Sequence, residues 1–301
     1  MTGKNIAFIG LGIMGAPMAA NLVQAGYSVT GHDHKDAAMA ALADVGGGSA
    51  ASIAEAVAGA DVVITMLPDS PHVEDAALGE DGIYRSAHPG ALHIDCSTIR
   101  PDAAAALARQ AAEHGIAAVD APVSGGQSGA QDATLSIMAG GTPDEFARAR
   151  PILSALGSTV AHVGGHGAGQ IVKAANQLIV AGHIELLAEA LTFLRAHKVE
   201  IGAAVRVLAG GLAGSTVLSR KAPSMLARDF TPGFRIDLHH KDMGIITAAA
   251  RQAGVVIPLG NHVAQLVASA KAQGNGGLDH SALLLAVERL SGLEAQPGGR
   301  P

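Results

Sequence analysis

A glycine-rich turn near the start of the chain has the spacing of a phosphate-binding loop. Gly10, Gly12 and Gly15 form a GxGxxG motif between a predicted buried strand and an Ala-rich predicted helix. In this motif the first glycine permits a tight turn, the second lets the backbone approach a pyrophosphate, and the third allows close helix–strand contact. The N–H groups at the start of the helix then face the phosphates. The predicted dinucleotide-binding turn comprises Gly10, Leu11, Gly12, Ile13, Met14 and Gly15.

An acidic residue after the second predicted strand completes this motif. Asp33 lies 23 residues after Gly10, close to the spacing of about 20 residues that such a site requires. Its carboxylate is expected to accept hydrogen bonds from the adenosine ribose and to repel a 2′-phosphate, which favours NAD. His34 and Lys35 beside it can attract a 2′-phosphate, so NADP stays open as an alternative.

Lys173 has the chemistry of a proton donor. It lies near the start of the predicted long helix Ala168–Ala196, on an otherwise Ala, Val and Ile surface. Because burial lowers the pKa of an ammonium, such a lysine can release its proton near neutral pH. Asn176 and Gln177 follow at i+3 and i+4 on the same helical face, and Asn176 is predicted to orient the ammonium and the substrate. Spacing alone leaves a solvated surface lysine as the alternative.

The segment Ser124-Gly125-Gly126 could hold a carboxylate. It follows the predicted strand Ile116–Asp120, and open α/β sheets bind ligands beyond the carboxyl ends of their strands. Two glycine N–H groups and one hydroxyl suit a carboxylate oxygen pair. A plain Gly-Gly turn is the alternative.

The order of predicted elements places these residues in two domains. Strands and helices alternate as far as Gly164, which predicts βαβ units and an α/β fold with a doubly wound, mostly parallel sheet. From Gly167 onward the pattern is helical only. The predicted domains are 1–165, which binds the dinucleotide, 166–292, which is all-helical and serves substrate binding and oligomerisation, and a polar tail, 293–301, which is predicted to be disordered.

Composition excludes several classes of protein. The chain has 301 residues and a mass of 30.0 kDa, which is comfortable for two domains. A net charge of −6 does not suit a nucleic-acid partner, and 49% hydrophobic against 15% charged residues does not suit disorder. The chain contains two Tyr, five Phe and no Trp, so its apolar half must be built from small side chains.

The cysteine, the histidines and the apolar runs of the sequence indicate the cellular compartment and whether a metal site or a membrane span is expected. A single cysteine, Cys96, excludes an intrachain disulfide and a Cys-based zinc site, fits a cytoplasmic protein and is expected to pack at a strand end. Adjacent His239 and His240 cannot face one metal together, so no metal site is predicted. Three glycines interrupt the apolar N-terminal run, which argues against a signal peptide. No window of about 18 uninterrupted apolar residues occurs, so no membrane span is expected.

Six segments of the chain resemble one family, the β-hydroxyacid dehydrogenases, which includes 3-hydroxyisobutyrate dehydrogenases. They are GLGIMG, ITMLP, DAPVSGG, GAGQIVKAANQ, AGGLAGSTVL and PGFRIDLHHKD. The resemblance runs from the N-terminus to about Leu290. It implies an N-terminal Rossmann domain, an all-helical C-terminal domain, a small-molecule substrate and a homo-oligomer, a dimer or a tetramer.

The resemblance also implies roles for particular residues. It makes Lys173 catalytic, with Asn176 beside it, and places the substrate carboxylate on Ser124, Gly125 and Gly126. Many members carry two Asn where this chain has Asn176-Gln177, so the role of Gln177 stays open. The remaining implied positions are Met66, Leu67, Pro68 and Thr98 at the nicotinamide, Lys241 at the cofactor, and Phe234 and Asp242 at the substrate pocket.

The last two segments are most similar to members that reduce tartronate semialdehyde to glycerate. The expected activity is therefore reversible NAD(P)H-dependent reduction of that aldehyde. Turnover of 3-hydroxyisobutyrate, glyoxylate or succinic semialdehyde remains an alternative within the family. Relatives that reduce imines replace the lysine, so Lys173 argues against that chemistry. A non-catalytic nucleotide-binding scaffold would not need Lys173, Asn176 and Ser124–Gly126 together.

Overall fold

A sheet of nine strands organises the first of two units in the computed structural model, which describes residues 3–293. The chain divides by its internal contacts into Met1–Lys173 and Ala174–Pro301. The strands are β1 Asn5–Ile9, β2 Ser28–His32, β3 Gly48–Ser49, β4 Val62–Thr65, β5 Leu92–Asp95, β6 Ala117–Asp120, β7 Val123–Ser124, β8 Ser136–Gly140 and β9 Thr159–Gly164.

The strand order is β3-β2-β1-β4-β5-β6-β8-β7, with β9 beside β8. All neighbours from β3 to β6 are parallel, and β8 is antiparallel to β6 and β7. This confirms the predicted doubly wound, mostly parallel sheet. Because the first strands run both ways outward from β1, the loops that follow β1 and β4 open at a topological switch point, where such sheets bind ligands.

Helices cover both faces of this sheet. They are α1 Gly15–Gln24, α2 Asp36–Asp44, α3 Ile53–Val57, α4 Ser70–Leu78, α5 Ile83–Ser86, α6 Pro101–Glu113, α7 Gly126–Gln131 and α8 Pro143–Leu153. Successive residues of β1 enter opposite cores, since Ile6 and Phe8 belong to the apolar cluster that includes α1, while Ala7 and Ile9 belong to the cluster that includes α3 and α6. The strands are therefore apolar on both faces, as buried parallel strands must be.

The second unit is all-helical, as predicted. Its helices are α9 Ala168–Ala196, α10 Ile201–Gly210, α11 Thr216–Ala227, α12 Ile236–Ala253, α13 Pro258–Ala270 and α14 Leu283–Leu290, with a π-helical turn Lys271–Asn275 and a 3₁₀ turn His280–Ala282. Its core packs Ile184 and Leu191 of α9 against Met243, Val267 and Leu284. Helix α9 begins in the first unit and continues into the second.

Within residues 3–293, α9 is long and apolar enough to cross a membrane by length and composition alone. The core helix of a soluble protein passes the same test, and α9 buries 44% of its most apolar window. This is weak evidence for a membrane span.

The structure adds to and corrects the predicted elements at several places. The sequence pattern predicts a helix over Lys241–Ala253, whereas helix α12 begins at Ile236, so Lys241 and Asp242 lie in its second turn. Buried Ile236 and a bridge between Arg235 and Asp279 set this earlier start. Helices α4 and α8 and the antiparallel strand β7 were not predicted. The predicted boundary at 165 falls in the loop between β9 and α9, and residues 294–301 of the predicted tail lie outside the described residues.

Candidate active site

Backbone hydrogen bonds hold the loops after adjacent parallel strands together. The N–H of Gly10 donates to His32 O, that of Met66 to Ile9 O, and that of Cys96 to Thr65 O, at 2.8–2.9 Å. Each bond continues a strand pair by one residue beyond the strand ends. The candidate residues after β1, β2, β4 and β5 therefore lie along one edge of the sheet.

The glycine turn fits a dinucleotide. Gly10 has φ +95°, and a Cβ there would lie 2.5 Å from Met66 O. A Cβ on Gly15 would lie 1.9 Å from Gly10 O, which shows how closely α1 approaches the turn. A Cβ on Gly12 would meet nothing within 4 Å, so the backbone there is open to a ligand. Helix α1 starts without a side-chain cap, which leaves its N-terminus available for phosphate.

Hydrogen bonds from two backbone N–H groups fix the side chain of Asp33 beside the glycine turn. Its Oδ2 accepts the N–H of Leu11 at 2.7 Å, and its Oδ1 accepts the N–H of Lys35 at 2.9 Å. Each carboxylate oxygen retains a lone pair for a ribose hydroxyl. The predicted ribose-binding residue is thus also part of the scaffold of the glycine turn.

The loops after β4 and β5 are linked by a serine that sequence reasoning did not single out. The N–H of Leu67 donates to Ser97 Oγ at 2.9 Å. Met66 and Leu67 are half-buried, Pro68 is exposed, and Thr98 is half-buried. The four residues predicted at the nicotinamide are therefore grouped on two joined loops. Cys96 is fully buried, and burial followed by the Asp95 charge raises the pKa of its thiol, which suits packing rather than reactivity.

The predicted carboxylate-binding segment leads from β7 into α7. Gly125 has φ +142° and Gly126 has φ +65°, so both adopt backbone conformations that glycine favours. A Cβ on Gly126 would meet nothing within 4 Å, whereas one on Gly125 would meet Leu135 at 3.1 Å. The backbone at Gly126 is therefore open to a ligand, whereas Gly125 packs closely against Leu135.

Two residues that were not predicted anchor the start of α9. Asp120, at the end of β6, accepts the N–H groups of Gly167 at 2.7 Å and Gln170 at 3.1 Å. The side chain of Gln170 donates to Ser97 O at 2.9 Å and accepts from the N–H of Ile99 at 3.1 Å. Burial raises the pKa of Asp120, although the two N–H bonds oppose that rise. The sequence signal that could have indicated this role is an acidic residue, Asp120, at the end of an apolar strand.

This anchoring places Lys173 against the strand ends. Lys173 is 6% exposed, and its Nζ donates to Val123 O at 2.8 Å. Val123 directly precedes the Ser124–Gly126 segment. The solvated surface lysine that spacing alone had left open is thereby excluded.

The second unit brings four polar residues together. Asn176 Nδ2 donates to Gln177 Oε1 at 2.9 Å, and Gln177 Nε2 donates to Asp242 Oδ2 at 2.5 Å. Asp242 also pairs with Lys241, with 2.9 Å between Nζ and Oδ1. Gln177, whose role the sequence left open, is buried and bridges Asn176 to α12. Lys173, Asn176 and Gln177 lie on one face of α9.

Phe234 lies with a different set of partners. Its N–H donates to Asp279 Oδ2 at 3.0 Å, and its ring lies 5.8 and 5.3 Å from those of His239 and His280. Lys221 pairs with Asp279 at 2.8 Å. Asp279 therefore fixes the segment before α12 that carries Phe234.

No cluster of three or more His, Cys, Asp or Glu side chains in the described part of the chain is arranged to hold a metal ion. The chemistry that these residues offer is proton transfer by a buried ammonium and binding of anions by backbone N–H groups.

Two family models match this chain. Residues 5–164 match the family model of the NAD binding domain of 6-phosphogluconate dehydrogenase. Residues 167–287 match the model described as NAD-binding of NADP-dependent 3-hydroxyisobutyrate dehydrogenase. The two matches together span both units.

Three individual proteins are similar over nearly their whole length. The 2-hydroxy-3-oxopropionate reductase of Escherichia coli K12 is 38% identical, covering 95% of this chain and 98% of that protein. An NAD-dependent L-serine dehydrogenase of Pseudomonas aeruginosa is 38% identical, covering 92% and 96%. The structure of the Mycobacterium tuberculosis 3-hydroxyisobutyrate dehydrogenase with L-serine has a TM-score of 0.85 at 37% identity, covering 94% and 99%.

Proposed function

This chain belongs to the 3-hydroxyisobutyrate dehydrogenase-like β-hydroxyacid dehydrogenase family, and from that membership we propose that it reduces tartronate semialdehyde (2-hydroxy-3-oxopropanoate) to glycerate, reversibly. Use of NAD(P) follows from the family. The finer choice of NAD over NADP is part of the proposal and rests on the carboxylate of Asp33. The observation that carries the reaction is the buried ammonium of Lys173, held 2.8 Å from Val123 O.

In the proposed mechanism, bound NADH supplies the hydride that reduces the aldehyde carbon. Lys173 donates a proton from Nζ to the carbonyl oxygen, which completes the alcohol, and regains a proton from solvent. Its positive charge also stabilises the negative charge that develops on that oxygen. In the reverse direction the neutral amine accepts the hydroxyl proton.

The other residues bind and orient in this proposal. Ser124, Gly125 and Gly126 bind the substrate carboxylate, and Asn176 fixes the reacting carbonyl. The glycine turn and Asp33 bind the pyrophosphate and the ribose. The remaining assignments are Met66, Leu67, Pro68 and Thr98 at the nicotinamide, Lys241 at the cofactor, and Phe234 and Asp242 bordering the substrate.

The choice of tartronate semialdehyde rests on the similar reductase and on segments 209–218 and 232–242. The scarcity of aromatic residues suits a short, polar substrate. Oxidation of L-serine is a second candidate, supported by the similar L-serine dehydrogenase and by the L-serine in the similar structure. L-serine and glycerate share a carboxylate and a 3-hydroxyl, so the same residues could act on both.

A substrate panel tests the proposal. Purified protein is assayed with tartronate semialdehyde, glyoxylate and succinic semialdehyde for NADH or NADPH oxidation, and with 3-hydroxyisobutyrate, glycerate and L-serine for NAD reduction. The proposal expects the highest kcat/KM for tartronate semialdehyde with NADH. A higher value for L-serine or 3-hydroxyisobutyrate overturns the substrate, and no turnover of any member favours a scaffold.

The proposal includes a cytoplasmic homo-oligomer, a dimer or a tetramer. Exposed Ile179, Leu186 and Phe193 recur every seven residues along α9, which suits a helix-packing surface. Sedimentation equilibrium of the full chain measures this, and a monomer at assay concentration contradicts it.

A further inference from the structure

A chain of buried side chains that the proposed reaction does not use ends beneath the loops after β4 and β5. Tyr84 Oη lies 3.0 Å from His93 Nδ1, and His93 Nε2 lies 3.0 Å from Thr65 Oγ1. Thr65 Oγ1 donates to Asp95 Oδ1 at 2.7 Å. All four residues are 5% exposed or less. Thr65 and Asp95 face each other in register as the last residues of β4 and β5.

The donors and acceptors in this chain have one consistent direction. Thr65 has a single hydroxyl proton and uses it to donate a hydrogen bond to Asp95, so its oxygen must accept the hydrogen bond from His93 Nε2–H. His93 Nδ1 then accepts from the Tyr84 hydroxyl. Burial lowers the pKa of His93 to about 4, which agrees with this neutral ring. Each side chain therefore donates to the next, and Asp95 is the final acceptor.

Asp95 is also joined to both of the loops above it. Its Oδ1 accepts the N–H of Ser97 at 3.1 Å, and Ser97 Oγ accepts the N–H of Leu67 at 2.9 Å. Burial raises the pKa of Asp95 to about 6, with hydrogen bonds from Ser97 and Thr65 opposing the rise and the Asp120 charge adding to it. Asp95 and Ser97 therefore accept the hydrogen bonds that link the two loops.

We propose that Asp95 is a positioning residue that fixes the loop 66–68 relative to Ser97 and Thr98, and so sets the nicotinamide end of the bound dinucleotide. This inference rests on the proposed function, which places these two loops at the nicotinamide. Without Asp95, the N–H of Ser97 and the hydroxyl of Thr65 lose their common acceptor. The glycine turn and Asp33 keep their own hydrogen bonds, so the adenosine end is unaffected.

Comparing two ligands separates positioning from general loss of structure. NADH carries the nicotinamide and ADP-ribose lacks it, while both carry the pyrophosphate and adenosine. The dissociation constant of NADH is measured by nicotinamide fluorescence, which a chain without Trp leaves unobstructed, and that of ADP-ribose by calorimetry. Asp95→Ala is expected to weaken NADH about tenfold while ADP-ribose stays within about twofold.

Two further variants sharpen the test. Asp95→Asn keeps an oxygen that can accept from both donors, so NADH binding is expected to return to within about threefold of wild type. Thr65→Val removes one donor and keeps the Ser97 bond, so an intermediate loss of about threefold is expected. Glu288→Ala removes a buried acid that pairs with Arg228 in the helical unit, and it controls for general destabilisation.

The outcomes are distinct. Equal loss of both ligands, or no loss of NADH, in Asp95→Ala overturns the positioning role while leaving the proposed function intact. If Asp95→Ala does not fold, Thr65→Val decides, and unchanged NADH affinity in that variant overturns the role. A wild-type protein that binds ADP-ribose but not NADH contradicts the proposed function itself.

Discussion

The ammonium of Lys173 donates a 2.8 Å hydrogen bond to the carbonyl oxygen of Val123. The bond joins the first turns of α9 to the residue before the Ser124–Gly126 segment. Its geometry depends on where α9 starts, which Asp120 fixes through the N–H groups of Gly167 and Gln170. A long flexible side chain thereby acquires a defined position, which a proton donor requires.

Asp120→Asn is expected to destabilise the protein and to lower kcat. The amide keeps one acceptor oxygen for two buried N–H groups, and leaving one unsatisfied costs about 1–3 kcal/mol. Urea unfolding measures the loss of stability, and steady-state assays measure kcat. Asp102→Asn is the matched control, since Asp102 is exposed on α6 and pairs with Arg100 at 3.3 Å. Equal unfolding midpoints for both variants would contradict the anchoring role of Asp120.

Gln177→Leu is expected to lower kcat/KM for the aldehyde by about tenfold, because the bridge from Asn176 to Asp242 is lost. Gln177→Asn keeps the amide on a shorter side chain and is expected to fall between that variant and wild type. Steady-state kinetics at saturating NADH measures both. Gln265→Leu, on the exposed side of α13, is the control. Wild-type kinetics in Gln177→Leu would show that the bridge does not orient Asn176.

Asp33→Ser is expected to shift cofactor preference toward NADPH. The substitution removes the charge that repels a 2′-phosphate, together with a charge-assisted acceptor worth about 1.5–3 kcal/mol. The ratio of kcat/KM for NADH to that for NADPH should fall about tenfold or more. Asp36→Ser, in the first turn of α2, should leave the ratio unchanged. A wild type that already prefers NADPH would refute the assignment of Asp33 as an NAD determinant.

Glu185 should make stability fall as pH rises. Burial, followed by the charge of Glu189, raises the pKa of Glu185 to about 7. Its Oε2 has no hydrogen-bond partner among the described residues. Because the folded-state pKa lies above the unfolded value of 4.5, the native state binds the proton more tightly. Stability is therefore lost between about pH 4.5 and 7, by on the order of 3 kcal/mol.

The variant Glu185→Gln should flatten this dependence. Thermal unfolding midpoints are measured between pH 5 and pH 8 for the variant and for wild type. The midpoint of the variant should rise relative to that of wild type as the pH increases. Glu80→Gln, an exposed acid, should keep the wild-type slope. Parallel slopes for Glu185→Gln and wild type would show that Glu185 ionises as freely in the folded protein as in the unfolded chain.

Local patterns predicted much of the fold. The GxGxxG turn between its strand and helix, the strand Ile116–Asp120 and the helix Ala168–Ala196 were placed within a few residues, because each carries its own periodicity and flanking glycine or proline. Helices α4 and α8 were missed. Each has a capping side chain, Asp69 for α4 and Thr142 for α8, and a proline in its first turn. These start signals are difficult to recognise in short segments between strands.

Residues that act through long-range contacts were not predictable from spacing. Asp95 and Gln170 are 75 positions apart in the chain. The parallel pairing of β5 with β6 brings Asp95 beside Asp120, and Gln170 reaches Ser97 and Asp120 from the start of α9. The role of Gln177 likewise depends on α12 supplying Asp242. Residues whose chemistry is their own are predictable from the sequence, whereas residues whose function is to hold another group depend on the fold.

Lys173→Ala tests the central claim most directly. The measurement is steady-state oxidation of NADH with tartronate semialdehyde, together with the NADH dissociation constant by nicotinamide fluorescence. Loss of a general acid and of its charge predicts a fall in kcat of at least about a hundredfold, with NADH affinity close to that of wild type. Wild-type turnover in Lys173→Ala, with NADH bound as tightly as before, would contradict the assignment of Lys173 as the proton donor.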